Sequence, residues 1–465
     1  MNNLARHSGK TRTDHVVTTI RDRIAARSLL PGAKLPSIRR CAALLGVSNS
    51  TVVEAYDRLV AEGAIASRPG SGFYVSGHIA PLSLAEIGPK LDRAVDPFWI
   101  SRQSLDAGAD MIKPGCGWLP ASWMPGQAIR RALRTLSRAS DTTLADYGTP
   151  QGLLPLRHLL ARRMAEFGLE TPPEHIMLTD CGTEAIDLLC RFLIEPGDKV
   201  LVDDPCYFNF QALLRAHRAD IIGVPFTSSG PDPEQFATLV GIHRPRLYIT
   251  NSGLHNPTGA SLSASTTHRI LKTAEQHDLI IIEDAIFDDF ENTPSPHLAA
   301  FDGLNRVIHI GSFSKTLSAS VRCGYIATRP DWIDGLIDLK IATTFSSNRL
   351  SAELVLALLK DGSYRKHMVA LRDRVARTMA QTAIRLKSIG IQPMVEPGAG
   401  LFLWCTLPDG IDAADLARKA LAEGIVLAPG NVFSLSQNAP HHMRFNVAQC
   451  EDPRLFDFLT RTIPA

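Results

Sequence analysis

Three stretches near the N-terminus space their apolar residues as amphipathic helices do. Within residues 14–27, Val17, Ile20 and Ile24 fall on one face. After the Pro31-Gly32 turn, Ser37 reads as an N-cap, and Ile38, Cys41 and Leu45 share a face up to Gly46. A third helix is predicted from the polar cluster Ser48-Asn49-Ser50-Thr51 through Val52, Ala55, Tyr56 and Leu59 to Gly63. Two short strands follow, 64–68 and 72–75, with Pro69-Gly70-Ser71 as the turn. Residues 77–108 have no strong period. Pro81, Gly88, Pro89, Pro97 and Gly108 read as a linker, with a helical stretch expected near 82–87. From residue 109 to 465 the pattern changes: apolar runs alternate with helix-like stretches, which predicts an α/β fold with a mainly parallel sheet.

The first unit, 1–76, thus reads as a winged helix-turn-helix. In that arrangement the second helix of the pair enters the major groove of double-stranded DNA and its first side chains meet base edges. Those side chains are Ser48, Asn49, Ser50 and Thr51. Arg39, Arg40 and Arg68 are the candidates for neutralising phosphates. Charge supports this division. Residues 1–78 hold eleven Lys/Arg against five Asp/Glu, a net of +6, whereas the remainder holds 38 against 42, a net of −4. A small basic head on a mildly acidic body is the footprint expected of nucleic-acid binding.

In the body, four apolar strands run into chemistry-bearing residues. Residues 199–202 lead to Pro205-Cys206-Tyr207, 247–250 to His255-Asn256-Pro257-Thr258-Gly259, 279–282 to Glu283-Asp284, and 307–310 to Gly311-Ser312-Phe313-Ser314-Lys315. Ligands of such sheets sit outside the carboxyl ends of the strands. An aromatic ring, an amide, a carboxylate and an amine would meet there, which is the set that pyridoxal 5′-phosphate (PLP) requires. Lys315 supplies the amine for a Schiff base with the aldehyde. Asp284 keeps the pyridine nitrogen protonated, Asn256 donates to the ring oxygen, and Tyr207 stacks on the ring. Cys181-Gly182-Thr183 opens an apolar helical run whose free N–H groups suit a phosphate, with Ser312, Ser314 and Arg322 completing the cup.

Two resemblances follow from these residues. The segment from Leu30 to Arg39, Gly46-Val47-Ser48, Thr51-Val52, Ala55 to Leu59 and Gly70 to Val75 resemble the GntR family of bacterial regulators over about residues 12–76. The family's arginine after the recognition-helix serine is Asn49 here, which puts the base preference in question. Over about 110–463 the chain resembles fold-type-I, aspartate-aminotransferase-like PLP enzymes. The matching motifs are Tyr147-Gly148, Gly152, Leu156-Arg157, Asn256 to Gly259, Glu283-Asp284, Ser312 to Lys315, Arg322 to Tyr325 and Met443 to Asn446. That resemblance implies that Arg444 grips a carboxylate of a substrate or effector. It also implies that Tyr147 reaches the phosphate in the partner subunit of a homodimer. A tyrosine three residues after the acid is usual in these enzymes; this chain has Phe287. Head and body together resemble the MocR subfamily.

The leading reading is a PLP-binding transcriptional regulator whose DNA affinity responds to PLP or to an adduct with an amino acid or amine. The alternatives are a working aminotransferase carrying a DNA-binding head, and a regulator whose body has lost PLP. No metal site is expected, because the eight cysteines form no C-x-x-C pair. No apolar run is long enough to span a bilayer and no signal-like stretch opens the chain, so a cytoplasmic, non-membrane protein is expected.

Overall fold

The computed structural model describes residues 11–25, 28–76, 96–106, 108 and 110–463. The chain divides into two compact units, Met1–Lys90 and Leu91–Ala465. The helical stretch expected near 82–87 lies outside the described residues, as does the end of the first expected helix.

The first unit holds α1 (Arg12–Ala25), α2 (Ile38–Leu45), α3 (Asn49–Ala61), β1 (Ile65–Arg68) and β2 (Gly72–Val75). Local chemistry sets the boundaries. Ser37 caps α2 by accepting from the Arg40 N–H, and Gly46 ends it in the left-handed conformation that glycine adopts at least cost. Ser48 caps α3 by accepting from the Thr51 N–H. The apolar faces then close one core of Val16, Val17, Ile20, Val52, Ala55, Tyr56 and Leu59. Tyr56 is fully buried, its hydroxyl donating to the Pro36 carbonyl at 2.8 Å, so the α2–α3 pair is fixed by a polar bond inside an apolar core. β1 and β2 pair antiparallel with Ile65 opposite Val75. The head is the expected winged helix-turn-helix.

The second unit is built on an eight-stranded sheet. Its strands are β3 (Ile176–Thr179), β4 (Lys199–Asp204), β5 (Asp220–Thr227), β6 (Gly230–Pro231), β7 (Leu247–Thr250), β8 (Ile280–Asp284), β9 (Val307–Ser312) and β10 (Gly324–Ala327). They lie in the order β3-β10-β9-β8-β7-β4-β5-β6. The four strands read from the sequence, β4, β7, β8 and β9, are adjacent and parallel, which brings their carboxyl ends side by side. β10 runs antiparallel to both β9 and β3. Both faces are covered: Leu201, Tyr248, Ile281 and Val307 face one core, while Val200, Val202, Ile249, Ile282 and Ile308 face the other. This two-sided burial explains why the strands read as continuous apolar runs. A second, antiparallel sheet near the C-terminus includes Phe402–Thr406 paired with His442–Asn446. Within the stretch read as a linker, Pro97–Asp106 is a helix whose Ile100 is buried among Trp404, Ala428, Val432 and Phe433. No helix among the described residues is long and apolar enough to cross a membrane. All eight cysteines are free and buried.

Candidate functional site

The parallel strands end around one crevice. β8 runs through Glu283 to Asp284, so Asp284 is itself a strand residue, paired in register with Ile310. It is 4% exposed, and burial pushes its carboxyl up to about 6; the Ile286 N–H, Asn251 and the nearby Lys315 charge pull the other way. Lys315 follows β9 and donates from Nζ to the Gly117 carbonyl at 2.8 Å. Burial lowers its pKa to about 8, against the pull of Cys116 and Asp284. A Cβ at Gly117 would lie 4.0 Å from both Lys315 Nζ and an Arg444 terminal nitrogen, which places amine and guanidinium around the same small space. Tyr207 feels Arg444 and Asp284, and desolvation pushes its phenol up to about 12.

Arg444 is 2% exposed and has no carboxylate partner among the described residues. Its terminal nitrogens donate to Asn256 Oδ1 at 2.7 Å and to the Gly115 carbonyl at 2.6 Å. Its guanidinium lies over the rings of Phe402 and Phe433 at 4.4 and 4.5 Å. Nε has no hydrogen-bond partner, and burial lowers the pKa to about 10. A buried cation held only by neutral acceptors and aromatic faces carries an uncompensated desolvation cost. Asn256, held through Oδ1, keeps its amide nitrogen as the available donor.

A second group lies at the start of the helix Gly182–Leu193. Cys181 is its N-cap, with Sγ accepting from the Glu184 N–H at 3.4 Å and from Arg322 at 2.6 Å. Arg322 sits at φ 50, a left-handed backbone uncommon for a side chain of this size. Gly182 faces Ser312: a Cβ there would lie 3.2 Å from Ile286 Cγ2 and 3.9 Å from Ser312 Cβ. Ser312 Oγ lies 3.0 Å from Ser314 Oγ. Thr183 is exposed in the first turn. This corner joins a helix N-terminus, two hydroxyls and a guanidinium, a donor set that suits a phosphate.

Lys315, Asp284, Asn256, Tyr207 and Arg444 therefore converge, as do Gly182, Ser312, Ser314 and Arg322. Tyr147 stands apart from them, 76% exposed with its ring against Phe345 at 4.8 Å. Phe287 is buried edge-on to Phe402 at 5.4 Å. Sequence reasoning missed the Gly115–Trp118 segment, whose carbonyls receive Arg444, Lys315 and Asn446. The glycines at 115 and 117 were the available signal: a Cβ at Gly115 would lie 2.5 Å from the Ala428 backbone.

On the head, Arg39, Arg40, Ser48, Asn49, Ser50 and Arg68 are exposed and Thr51 is half-buried. Ser48 Oγ is occupied by capping, 2.8 Å from both Ser50 and Thr51 hydroxyls. Arg68 stacks on Tyr74 at 4.4 Å, and Lys34, which sequence reasoning passed over, bridges to Tyr74 beside it. Arg21 and Arg58 are tied to Glu62 and Asp14 instead.

Two units of these kinds define a helix-turn-helix regulator built on an aminotransferase-type fold. The model for bacterial regulatory proteins of the gntR family matches residues 12–75, and that for class I and II aminotransferases matches residues 120–461. The chain belongs to the aminotransferase class I and II family and joins it to a gntR-type head, the arrangement of MocR-type regulators. It is 30% identical over 442 residues to the uncharacterized HTH-type transcriptional regulator YdcR of Escherichia coli K12, spanning 92% of this chain and 93% of that one. It is 28% identical over 421 residues to the HTH-type transcriptional regulator NorG of Staphylococcus aureus USA300, spanning 87% and 94%. Among solved structures, an archaeal alanine:glyoxylate aminotransferase superposes with a TM-score of 0.72 at 25% identity, over 80% of this chain and 96% of that one. The kynurenine aminotransferase of Pyrococcus horikoshii superposes with a TM-score of 0.71 at 24% identity, over 78% and 92%.

Proposed function

We propose that this chain is a DNA-binding transcriptional regulator that holds PLP on Lys315 and answers to a carboxylate-bearing amino acid. The observation that carries the reading is the pairing of half-buried Lys315 and buried Asp284 in one crevice: an amine whose pKa falls to about 8 and an acid raised to about 6. When bound, the cofactor supplies an electrophilic aldehyde and an electron-withdrawing ring. Lys315 is the group that attaches to it, and burial keeps part of its amine neutral for that purpose. Asp284 would hold the ring nitrogen and Asn256 the ring oxygen. Tyr207 would cover a face of the ring, and Gly182, Thr183, Ser312, Ser314 and Arg322 would receive the phosphate.

Arg444 gives the effector its chemistry. A guanidinium buried without a counter-ion gains most from an anionic ligand, and its planar fork suits a carboxylate. Exposed Tyr147 supports a homodimer in which it reaches the partner's phosphate cup. Arg39, Arg40 and Arg68 neutralise DNA phosphates while Asn49, Ser50 and Thr51 face bases. A ligand that favours one conformation of the chain shifts its population and so its DNA affinity. The setting is cytoplasmic. Phe287 offers no hydroxyl to the ring oxygen, which favours sensing over turnover.

The test is a full-length Lys315→Ala variant. Wild type supplied with PLP is expected to show a visible absorption band that survives gel filtration; the variant loses it entirely while retaining DNA binding. A wild type that leaves the column colourless sinks the cofactor assignment. Steady transamination at ordinary enzyme rates would instead favour a working aminotransferase.

A further inference from the structure

Glu283 and Asp284 are neighbours on β8 and so point to opposite sides of the sheet. Asp284 belongs to the crevice. Glu283, on the other side, faces two histidines that the proposed function does not use. Its cross-strand partner in the β8–β9 register is His309, and the second histidine, His297, comes from the N-cap of the helix Leu298–Asp302. One ligand atom from each of Glu283, His297 and His309 lies within 4.8 Å of the other two, and all three residues are buried.

The contacts within this cluster are long: His309 and Glu283 share a hydrogen bond at the outer limit of length, and His297 Nδ1 makes none. His309 Nδ1 is 3.4 Å from Glu283 Oε2, and His297 Nδ1 is 3.9 Å from Glu283 Oε1 and 3.5 Å from Asp288 Oδ2. Good N–H···O bonds are about 2.9 Å. Two ligands about 2.1 Å from one tetrahedral metal stand roughly 3.4 Å apart. His297 is 2% exposed, yet its Nδ1 makes no hydrogen bond; Asp288 Oδ1 beside it is likewise unpartnered. An orphaned, fully buried imidazole nitrogen aimed at a carboxylate from metal-ligand range needs an explanation, because most buried polar atoms are satisfied. The carboxylate itself is held in place. Ser252 Oγ donates to Glu283 Oε1 at 2.5 Å, the Leu298 N–H to the same oxygen at 2.6 Å, and the Ala299 N–H to Oε2 at 3.0 Å. Such outer bonds orient a metal's ligands and tune their basicity. Phe167 walls the cluster, its ring 4.4 Å from that of His297 and 5.5 Å from that of His309.

We infer that Glu283, His297 and His309 form a binding site for one divalent transition ion of the zinc type, with Asp288 the carboxylate nearest to complete its shell. Two imidazoles and a carboxylate suit zinc far better than calcium or magnesium, which take oxygen ligands. The inference stands apart from the cofactor reading, since it uses the other face of β8.

The experiment uses untagged full-length protein, stripped with a chelator and titrated with Zn(II), then separately with Co(II). Wild type is expected to take up one equivalent of zinc per chain. The Co(II) form should show the strong visible d–d bands of a four-coordinate site without near-ultraviolet thiolate charge transfer. His297→Ala and His309→Asn should each weaken zinc binding by about 100-fold or more, beyond what loss of an outer partner costs. Binding of less than one equivalent by wild type, unchanged affinity in both variants, or a thiolate signature pointing to the cysteines would each overturn the site. Should either variant fail to fold, the wild-type stoichiometry and cobalt spectrum still decide the matter.

Discussion

The head and the body handle charge in opposite ways. The head keeps these cations on the surface: Arg39, Arg40 and Arg68 are exposed, and the side chains that open α3 are short and polar. The body takes several charges out of water. Arg444, Lys340 and Asp284 are each 4% exposed or less, and Lys315 loses much of its solvation to the crevice. Surface charges act additively, at long range and under salt screening. Buried ones are desolvated, shifted in pKa and dependent on a few exact neighbours. Substitutions in the body should therefore act sharply and those in the head in small increments.

The sharpest test within the body is Arg444→Leu. The side chain has no counter-ion, so its removal takes away a desolvation cost as well as two hydrogen bonds to neutral acceptors. Thermal stability and the cofactor's absorption band are expected to survive. What should disappear is the response to amino acids, because the ligand's carboxylate loses a charge-assisted, bidentate partner worth about 3 kcal/mol, or roughly 100-fold in affinity. Titrating the bound cofactor's absorbance with amino acids measures this. An equal response in wild type and variant would show that the guanidinium serves the fold alone.

The next effect is one of pH. An amine captures an aldehyde only when neutral. Burial lowers the Lys315 pKa from 10.5 to about 8. At pH 7 roughly a tenth of the folded protein's amine is then neutral, against fewer than one in a thousand for an ordinary lysine. Cofactor uptake by the apo protein should rise about tenfold per pH unit up to pH 7, then flatten above 8. Stopped-flow absorbance follows it. A rate still climbing tenfold per unit between pH 9 and 10 would mean that the amine is solvated as usual.

Much of this chemistry was legible in the sequence because strands and caps are local. The runs ending at Tyr207, Asn256, Asp284 and Lys315 announced both the strands and the residues at their carboxyl ends. In the head, Ser37, Gly46 and Ser48 marked helix boundaries through bonds spanning a few residues. What stayed hidden depends on contacts across the chain. The Lys315 bond to Gly117 spans 198 residues and that of Arg444 to Gly115 spans 329, so no spacing rule could announce them. His297 is invisible for the same reason: only the β8–β9 register and the turn into Leu298–Asp302 bring it to Glu283. The helix Pro97–Asp106 lies in a Pro/Gly-punctuated stretch with no strong period, and its order comes from Ile100 reaching Trp404 and Phe433. Tertiary packing there outweighs a weak local signal.

The smallest effects belong to the head, and their smallness is itself the prediction. Arg39, Arg40 and Arg68 would each meet DNA as one exposed cation among several. Replacing any one of them by Ala should weaken binding to every sequence by the same factor, about fivefold. It should also reduce the slope of log K against log salt by about 0.9, the share of one released counter-ion. Arg68 carries a complication: it rests on Tyr74 at 4.4 Å, so its loss also frees the wing's aromatic ring. Arg39→Ala and Arg40→Ala are the cleaner probes. Asn49→Ala is the contrast, since an amide reads bases without neutralising charge. It should leave the salt slope unchanged while narrowing the gap between specific and nonspecific DNA. A fluorescence-anisotropy series at three salt concentrations, on specific and scrambled duplexes, separates the two behaviours. If Asn49→Ala changed the slope and the arginine variants did not, the assignment of positioning and reading roles on this face would have to be reversed.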